Sequence, residues 1–272
     1  MKKLIKILFS ACVILLYGCT ISQYIPNTQN VPIFSEKGTF QTQLSFTNFQ
    51  ASYSLTKHIG VACSFLLKKR EGTDGLIHIG PGINGYEPED ERQIKLDEGE
   101  INIGYYNRYD NHTVELYIGV GYGKTSYNHH NYADLYGSPT NFYFHFNANP
   151  IKIYIQPDFG FLLDPSTEIA VSSKILFYRF TDVSYNISGN INQKEAGKPY
   201  DFIPNTNSND YNFLFFQPAI TLREKINYFL KFQIQIGISP CLNKNIIDLN
   251  FKKYIFDFGF NLDINKLFQR KK

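Results

Sequence analysis

Hydrophobic and polar residues alternate along most of this chain, from about Thr39 to Ile264. A period of two is the mark of a β-strand whose two faces meet different surroundings. In 112–124, Val114, Leu116, Ile118, Val120 and Tyr122 share one face, opposite Glu115, Tyr117, Gly119, Gly121 and Gly123. In 151–163, Ile151, Ile153, Ile155, Phe159 and Phe161 oppose Lys152, Tyr154, Gln156, Asp158 and Gly160. The same split runs through 228–238, where Leu230, Phe232, Ile234 and Ile236 oppose Lys231, Gln233 and Gln235. In 252–264, Phe256, Phe258 and Phe260 oppose Asp257, Gly259 and Asn261. The pattern predicts ten strands at 39–46, 48–56, 58–68, 99–108, 112–124, 141–163, 168–181, 211–222, 226–238 and 250–264.

The connectors between these strands alternate in length. Thr56-Lys57, Tyr109-Asp110-Asn111, Asp164-Pro165-Ser166-Thr167 and Arg223-Glu224-Lys225 are tight, whereas 69–98, 125–140, 182–210 and 239–249 are long and polar. Short turns at one end, long loops at the other and an even strand number are the pattern of an antiparallel up-and-down transmembrane β-barrel. About ten strands, within a range of roughly 8 to 12, fit that pattern. The polar face decides against a soluble sandwich or lipocalin-like barrel, whose outward face is dense in Lys, Glu and Thr. Gly, Tyr, Gln and scattered charges instead suit a lumen where large and small side chains interlock. The sixth segment adds a complication: Phe142, Phe144 and Phe146 fall on its polar face, so a phase flip or β-bulge is expected at Ala148-Asn149-Pro150.

The first residues do not belong to the barrel. Lys2, Lys3 and Lys6, the apolar stretch Ile7 to Leu16 and then Tyr17-Gly18-Cys19 have the layout of an export signal. The apolar stretch is too short to cross roughly 30 Å of hydrocarbon as a helix. Leu16-Tyr17-Gly18-Cys19 resembles the bacterial lipobox, which implies cleavage after residue 18 and lipidation of Cys19, enough acyl chain for stable anchoring. Residues 19–38, with Pro26 and Pro32, then read as a tether from the lipid to a barrel at 39–265, followed by a basic tail at 266–272.

Charge and composition narrow the field. Loss of the leader takes three lysines and leaves 24 basic and 24 acidic residues, so no basic footprint for nucleic acid remains. The 24 Phe and 20 Tyr with a single Met favour strands over helices. Cys12 leaves with the signal and Cys19 carries lipid; Cys63 and Cys241 lie in distant segments and are expected as unpaired thiols.

The chain also resembles the lipoprotein β-barrels of Bacteroidota outer membranes. The residues that carry the likeness are Tyr24-Ile25-Pro26-Asn27-Thr28-Gln29-Asn30-Val31-Pro32, Glu36-Lys37-Gly38, Thr56-Lys57-His58-Ile59-Gly60-Val61, Ile155-Gln156-Pro157-Asp158-Phe159-Gly160 and Gln217-Pro218-Ala219-Ile220-Thr221-Leu222-Arg223. The resemblance implies an outer-membrane barrel and assigns no activity. In that group acidic residues just after the lipidated Cys direct surface export. Thr20-Ile21-Ser22-Gln23 has none, which implies a lipid anchor in the periplasmic leaflet.

Candidate chemistry is sparse. Glu100, Glu115, Asp158 and Asp257 share the polar face with Lys152, Lys174, Arg223 and Lys231 and are expected to form an ion-pair network in the lumen. A barrel of this size is filled by side chains, so the network reading outweighs a polar conduit. His129, His130, Asp134 and His145 match no closed zinc site, and the acidic run Glu87, Glu89, Asp90, Glu91, Asp97, Glu98 lacks the pattern of a Ca²⁺ loop. Ser173, Asp182 and His145 have no nucleophile elbow around them. The expectation is therefore a non-enzymatic barrel without metal or cofactor, serving as a structural or accessory subunit or a narrow porin-like pore. Its partners are membrane lipids and envelope proteins met through 69–98, 125–140 and 182–210. The rivals are a lipid- or lipopolysaccharide-modifying barrel enzyme and a tethered soluble periplasmic β domain.

Overall fold

A computed structural model of the chain describes residues 24–34, 36–45, 48–73, 89–135, 138–190, 211–243 and 253–269. The leader, Cys19 and the rest of 1–23 lie outside the described residues, as do Glu87 and the last three residues. The strands are β1 (Phe40–Ser45), β2 (Asn48–Ser54), β3 (Ile59–Thr73), β4 (Glu89–Arg108), β5 (His112–Leu135), β6 (Ser138–Leu162), β7 (Thr167–Asn190), β8 (Tyr211–Lys225), β9 (Leu230–Ile238) and β10 (Tyr254–Asp263). Each pairs antiparallel with its sequence neighbour, and β1 pairs with β10 to close a ten-stranded barrel. The fold expected from alternation is the fold observed.

Three strands, β4, β5 and β7, are much longer than the pattern predicts, and β6 is long as expected. β4 to β7 have 20, 24, 25 and 24 residues, about twice what a tilted strand needs to cross a bilayer. Of the segments expected as long loops, 69–73, 89–98, 125–135, 138–140 and 182–190 are strand, and 74–88, 136–137 and 191–210 lie outside the described residues. The β5–β6 connection shrinks to residues 136–137. The reason is chemical inversion without a change of alternation. In β5 the odd residues face inward from Thr113 to His129, but the outward residues change from Val114, Leu116, Ile118, Val120 and Tyr122 to Lys124, Ser126 and Asn128. The inward ones change from Glu115 and Gly119 to Tyr127. The barrel thus has two storeys. Near the short turns an apolar outer belt surrounds a polar lumen; toward the long connectors a polar exterior surrounds an apolar, mostly aromatic interior of Ile94, Leu96, Tyr127, Phe144, Phe146, Phe180 and Phe213.

That inversion also corrects the expected phase flip in β6. Phe144, Phe146, Ala148, Pro150, Lys152 and Tyr154 all point inward, so β6 keeps its phase and the phenylalanines belong to the upper core. The register shift falls opposite Asn147 and Asn149, and the additional residue is on β7. Asp182 there has φ 49°, and its carboxylate accepts a hydrogen bond from Asn149 Nδ2 at 2.8 Å.

The apolar belt is open to the surroundings: Ile118 and Ile153 are 58% and 56% exposed, whereas Lys152, next to Ile153 along β6, is 1% exposed. On the outer face of β2–β7 the belt forms a concave apolar groove of about 1010 Å³, walled by Tyr53, Ile101, Ile103, Ile118, Ile153 and Phe177. Burying belt side chains of this size is worth roughly 1.5–3 kcal/mol each, so an uncovered belt is strongly driven out of water.

At the short-turn end the two chain ends of the barrel are pinned together. Asn265 Oδ1 accepts from Phe40 N, and its Nδ2 donates to Gly38 O, both at 2.8 Å. Asn265 sits in α1 (Ile264–Gln269), so the expected basic tail begins as a helical turn, with Lys266 Nζ 2.9 Å from Asp263.

Candidate functional site

Residues Tyr24–Phe34, expected as an external tether, run inside the barrel. Tyr24, Gln29, Val31 and Phe34 are fully buried. This strap has no sheet partners of its own along most of its length, so its peptide groups need other hydrogen bonds once out of water. Lumen side chains supply them. Gln235 receives Gln29 N on Oε1 at 2.8 Å and donates Nε2 to Gln29 O at 3.0 Å. Gln50 Nε2 donates to Thr28 O at 2.9 Å, and Gln156 Nε2 to Asn30 O at 2.8 Å. Asn27 donates to Ser64 Oγ at 3.0 Å and accepts from Asn48 Nδ2.

The ends of the strap are fixed by aromatic packing. Phe34 lies between Tyr106 and Tyr117 near the short turns, its ring filling the space where a Cβ on Gly60 would stand. Ile33, at φ 51°, packs its side chain on Gly160. Positive φ is unfavourable for a β-branched residue, and the enclosing walls hold the bend. At the other end Tyr24 stacks on Phe215 at 4.4 Å between ring centroids and meets Tyr178 edge-on at 4.8 Å. Its hydroxyl accepts from Gln217 Nε2 at 2.6 Å.

Charged groups line the lumen in two clusters. The upper one joins Lys152 to Glu98 and, at 2.9 Å, to Glu100; Lys174 reaches the other oxygen of Glu100 at 2.8 Å. Tyr178 OH donates to Glu98 at 3.1 Å, and Lys174 Nζ lies 4.0 Å from the centre of the Tyr154 ring. The lower cluster holds Arg223, Glu115, Asp158, Glu168 and Lys231. Lys231 Nζ is 2.5 Å from Glu168, and Arg223 is 3.9 Å from the same carboxylate. Arg223 Nε donates to Gln233 Oε1 at 2.6 Å, and its Nη2 and Nη1 donate to the carbonyls of Val31 and Pro32. Glu115 and Asp158 are register partners on β5 and β6; Glu115 Oε1 accepts Phe34 N at 3.1 Å and Asp158 accepts Gln156 Nε2 at 3.1 Å. Asp257 faces the lumen apart from both clusters, at the level of Thr28 and Ser45.

All eight residues expected in the lumen network face the lumen, but seven of them fall into two separate clusters and Asp257 stands apart from both. Sequence reasoning missed Glu98 and Glu168. Stepping back by two from Glu100 puts Glu98 on the same face, a signal hidden by its place in an acidic run. The strap also left a trace: Thr20 to Ser35 contains no charged residue, unusual for a hydrated tether and suited to burial.

The other candidates disperse. His129 points inward while His130, stacked on Tyr143 at 4.1 Å, and His145 point outward, so alternation separates the imidazoles. The acidic run is split likewise: Glu98 is in the lumen and Asp97 outside, 3.2 Å from Lys95. Ser173 pairs with Pro218 and His145 with Asn186, far apart along β7, and Asp182 is engaged by Asn149. Cys63 and Cys241 are not joined in a disulfide.

No protein-family model matches the sequence, and no curated protein does. Among solved structures, the chain is similar to the outer membrane protease OmpT of Escherichia coli, at 10% identity and a TM-score of 0.47, covering 82% of this chain and 92% of that one. It is also similar to CarO of Acinetobacter baumannii, at 6% identity and a TM-score of 0.34 over 84% and 97% of the two chains. The toluene transporter TbuX of Ralstonia pickettii follows at 10% identity and a TM-score of 0.36, over 84% and 73%. These barrels differ in what they do, and likenesses of this size assign no activity to the chain.

Proposed function

We propose that the protein is a non-enzymatic outer-membrane barrel, lipidated at Cys19 and closed by its own N-terminal strap, that acts as a structural or accessory subunit of the cell envelope. One observation carries this reading: the barrel turns an unbroken apolar belt outward while its lumen charges sit inside with the strap, all buried except Glu168 and Lys231, which are partly exposed near the short turns. Closed barrels with such a belt are the form in which strands cross a membrane, because closure satisfies all backbone groups. The export signal takes the chain to the compartment where such barrels assemble. Short turns then face the periplasm and long connectors the exterior. Of the roles expected from the sequence, porin-like conduction fits least well, since the strap occupies the path a solute would follow. The upper storey, rising beyond the belt, is the surface for envelope partners.

Two measurements test the proposal. With Cys19→Ser the protein should still need detergent for extraction, whereas a tethered soluble domain would be released into buffer. In planar bilayers the intact protein should be silent, and a variant lacking 24–35 should show discrete conductance steps. Steady conductance by the intact protein would overturn the closed-barrel reading.

A further inference from the structure

The strap has a direction. Phe34 stands at the short-turn end, beside Tyr106 just before the β4–β5 turn, and Tyr24 stands at the upper edge of the belt against Phe215 and Tyr178. The chain therefore descends the lumen from Tyr24 to Phe34, turns at Gly38 (φ 82°) and rises again as β1. Whatever precedes Tyr24 is fed from the upper storey.

We infer that the N-terminus leaves the barrel at the long-connector mouth, and that the acyl chains on Cys19 enter the leaflet on that side, which is the outer leaflet if the membrane reading above holds. This reverses the leaflet expected from the lack of acidic residues after Cys19.

Reach is the first argument. Phe215, beside Tyr24, and Arg223, which holds Val31, are eight residues apart on β8. That is roughly 26 Å along the strand at about 3.3 Å per residue, or about 20 Å along the barrel axis for a tilt near 40°. The short-turn mouth lies beyond Arg223. Five residues from Tyr24 back to Cys19 span at most about 18 Å fully extended. They fall short of the lower leaflet even by the straightest route.

Occupancy is the second. The space below Tyr24 is filled by the strap itself and by the side chains that bind it, so no second strand of chain fits beside it. Above Tyr24 the described interior is lined by Phe180 and Phe213, and the sequence just before Tyr24, Thr20-Ile21-Ser22-Gln23, carries no charge. A segment without charge crosses such an aromatic mouth without stranding an ion in it.

The test uses impermeant maleimide labelling of whole cells, with Cys63→Ala and Cys241→Ala as background. Ser22→Cys reports the N-terminus, Lys124→Cys the polar exterior above the belt, and Ser166→Cys the β6–β7 turn. The expected result is labelling of Ser22→Cys and Lys124→Cys in intact cells, with Ser166→Cys labelled only after permeabilisation. If Ser22→Cys behaves like Ser166→Cys, the inference is overturned while the membrane reading stands. Labelling of Ser22→Cys only after denaturation also overturns it, because the N-terminus would then end inside the lumen. If Lys124→Cys is itself protected in intact cells, the membrane reading fails and takes the inference with it.

Discussion

Arg223 holds Val31 by its backbone: the guanidinium of β8 donates through Nη2 to the Val31 carbonyl, with Nη1 3.5 Å from the carbonyl of Pro32 and Nε fixed on Gln233 at 2.6 Å. A carbonyl carries no side-chain identity, so the grip is independent of what residue 31 is. Arg223→Met removes it and leaves the Glu115, Asp158 and Glu168 carboxylates short of a cation. The expected loss is about 3–5 kcal/mol of stability, the range for breaking a buried charge pair. Denaturant unfolding in detergent would read it, and limited proteolysis should then cut within 24–34.

The upper cluster makes a sharper prediction through coupling. Lys152→Met strands Glu98, leaves Glu100 with Lys174 alone, and is expected to cost a similar ~3–5 kcal/mol. Adding Glu98→Gln should recover part of that loss, because the residual carboxylate of Glu100 keeps Lys174. Additive losses in the double variant would mean that the two side chains do not interact.

Packing of the strap can be tested from the wall side. A Cβ at Gly60 would lie 2.3 Å from the Phe34 ring, so Gly60→Val must displace Phe34. Overpacking of this kind costs about 1–3 kcal/mol. Phe34→Ala in the same chain should make room and restore much of the loss. No rescue would place Phe34 elsewhere.

The belt is testable by depth. Ile118→Arg puts a guanidinium at a position that faces acyl chains, at an expected cost of about 2–4 kcal/mol near the bilayer midplane. Asn128→Arg, on the same outward face of β5 but above the belt, should be nearly neutral. Equal effects at the two sites in lipid vesicles would count against a membrane-embedded belt.

At the β6–β7 turn, Asp164 Oδ1 accepts from Ser166 N at 2.7 Å, Ser166 Oγ at 2.6 Å and Thr167 N at 2.9 Å. These donors favour the ionised form and hold its pKa below the ordinary carboxylate value, the Ser166 hydroxyl contributing most. The stabilisation is therefore present above the unfolded carboxylate pKa and is lost as pH falls through the lower, folded one. A carboxyl-carbon NMR titration should give a midpoint below that of free Asp, and Asp164→Asn should remove that part of the acid dependence.

The sequence carried the barrel because alternation is a local property: Ile153, Lys152 and Tyr154 declare their faces from spacing alone. It did not carry the upper storey, because there the two faces exchange chemistry, and Phe144 and Phe146 then look like a phase error. It did not carry the strap, whose partners are distant side chains meeting peptide groups. Gln235 and Gln29 form two hydrogen bonds that no spacing rule connects. The lumen charges were legible as a set. Their division in two was not, because it depends on strand register, which sets Glu100 opposite Gly121 and Glu115 opposite Asp158.

The seam between β1 and β10 joins opposite ends of the chain, Gln41 with Asp263 and Leu44 with Phe260, while the strap precedes every strand. Side chains from β2, β3, β5, β6, β8 and β9 all hold it. Closing that seam therefore encloses the strap, much as a sleeve fits a mandrel, and the wall supplies the partners that the strap's peptide groups lack. The calibre of the cylinder is thereby matched to the segment it surrounds.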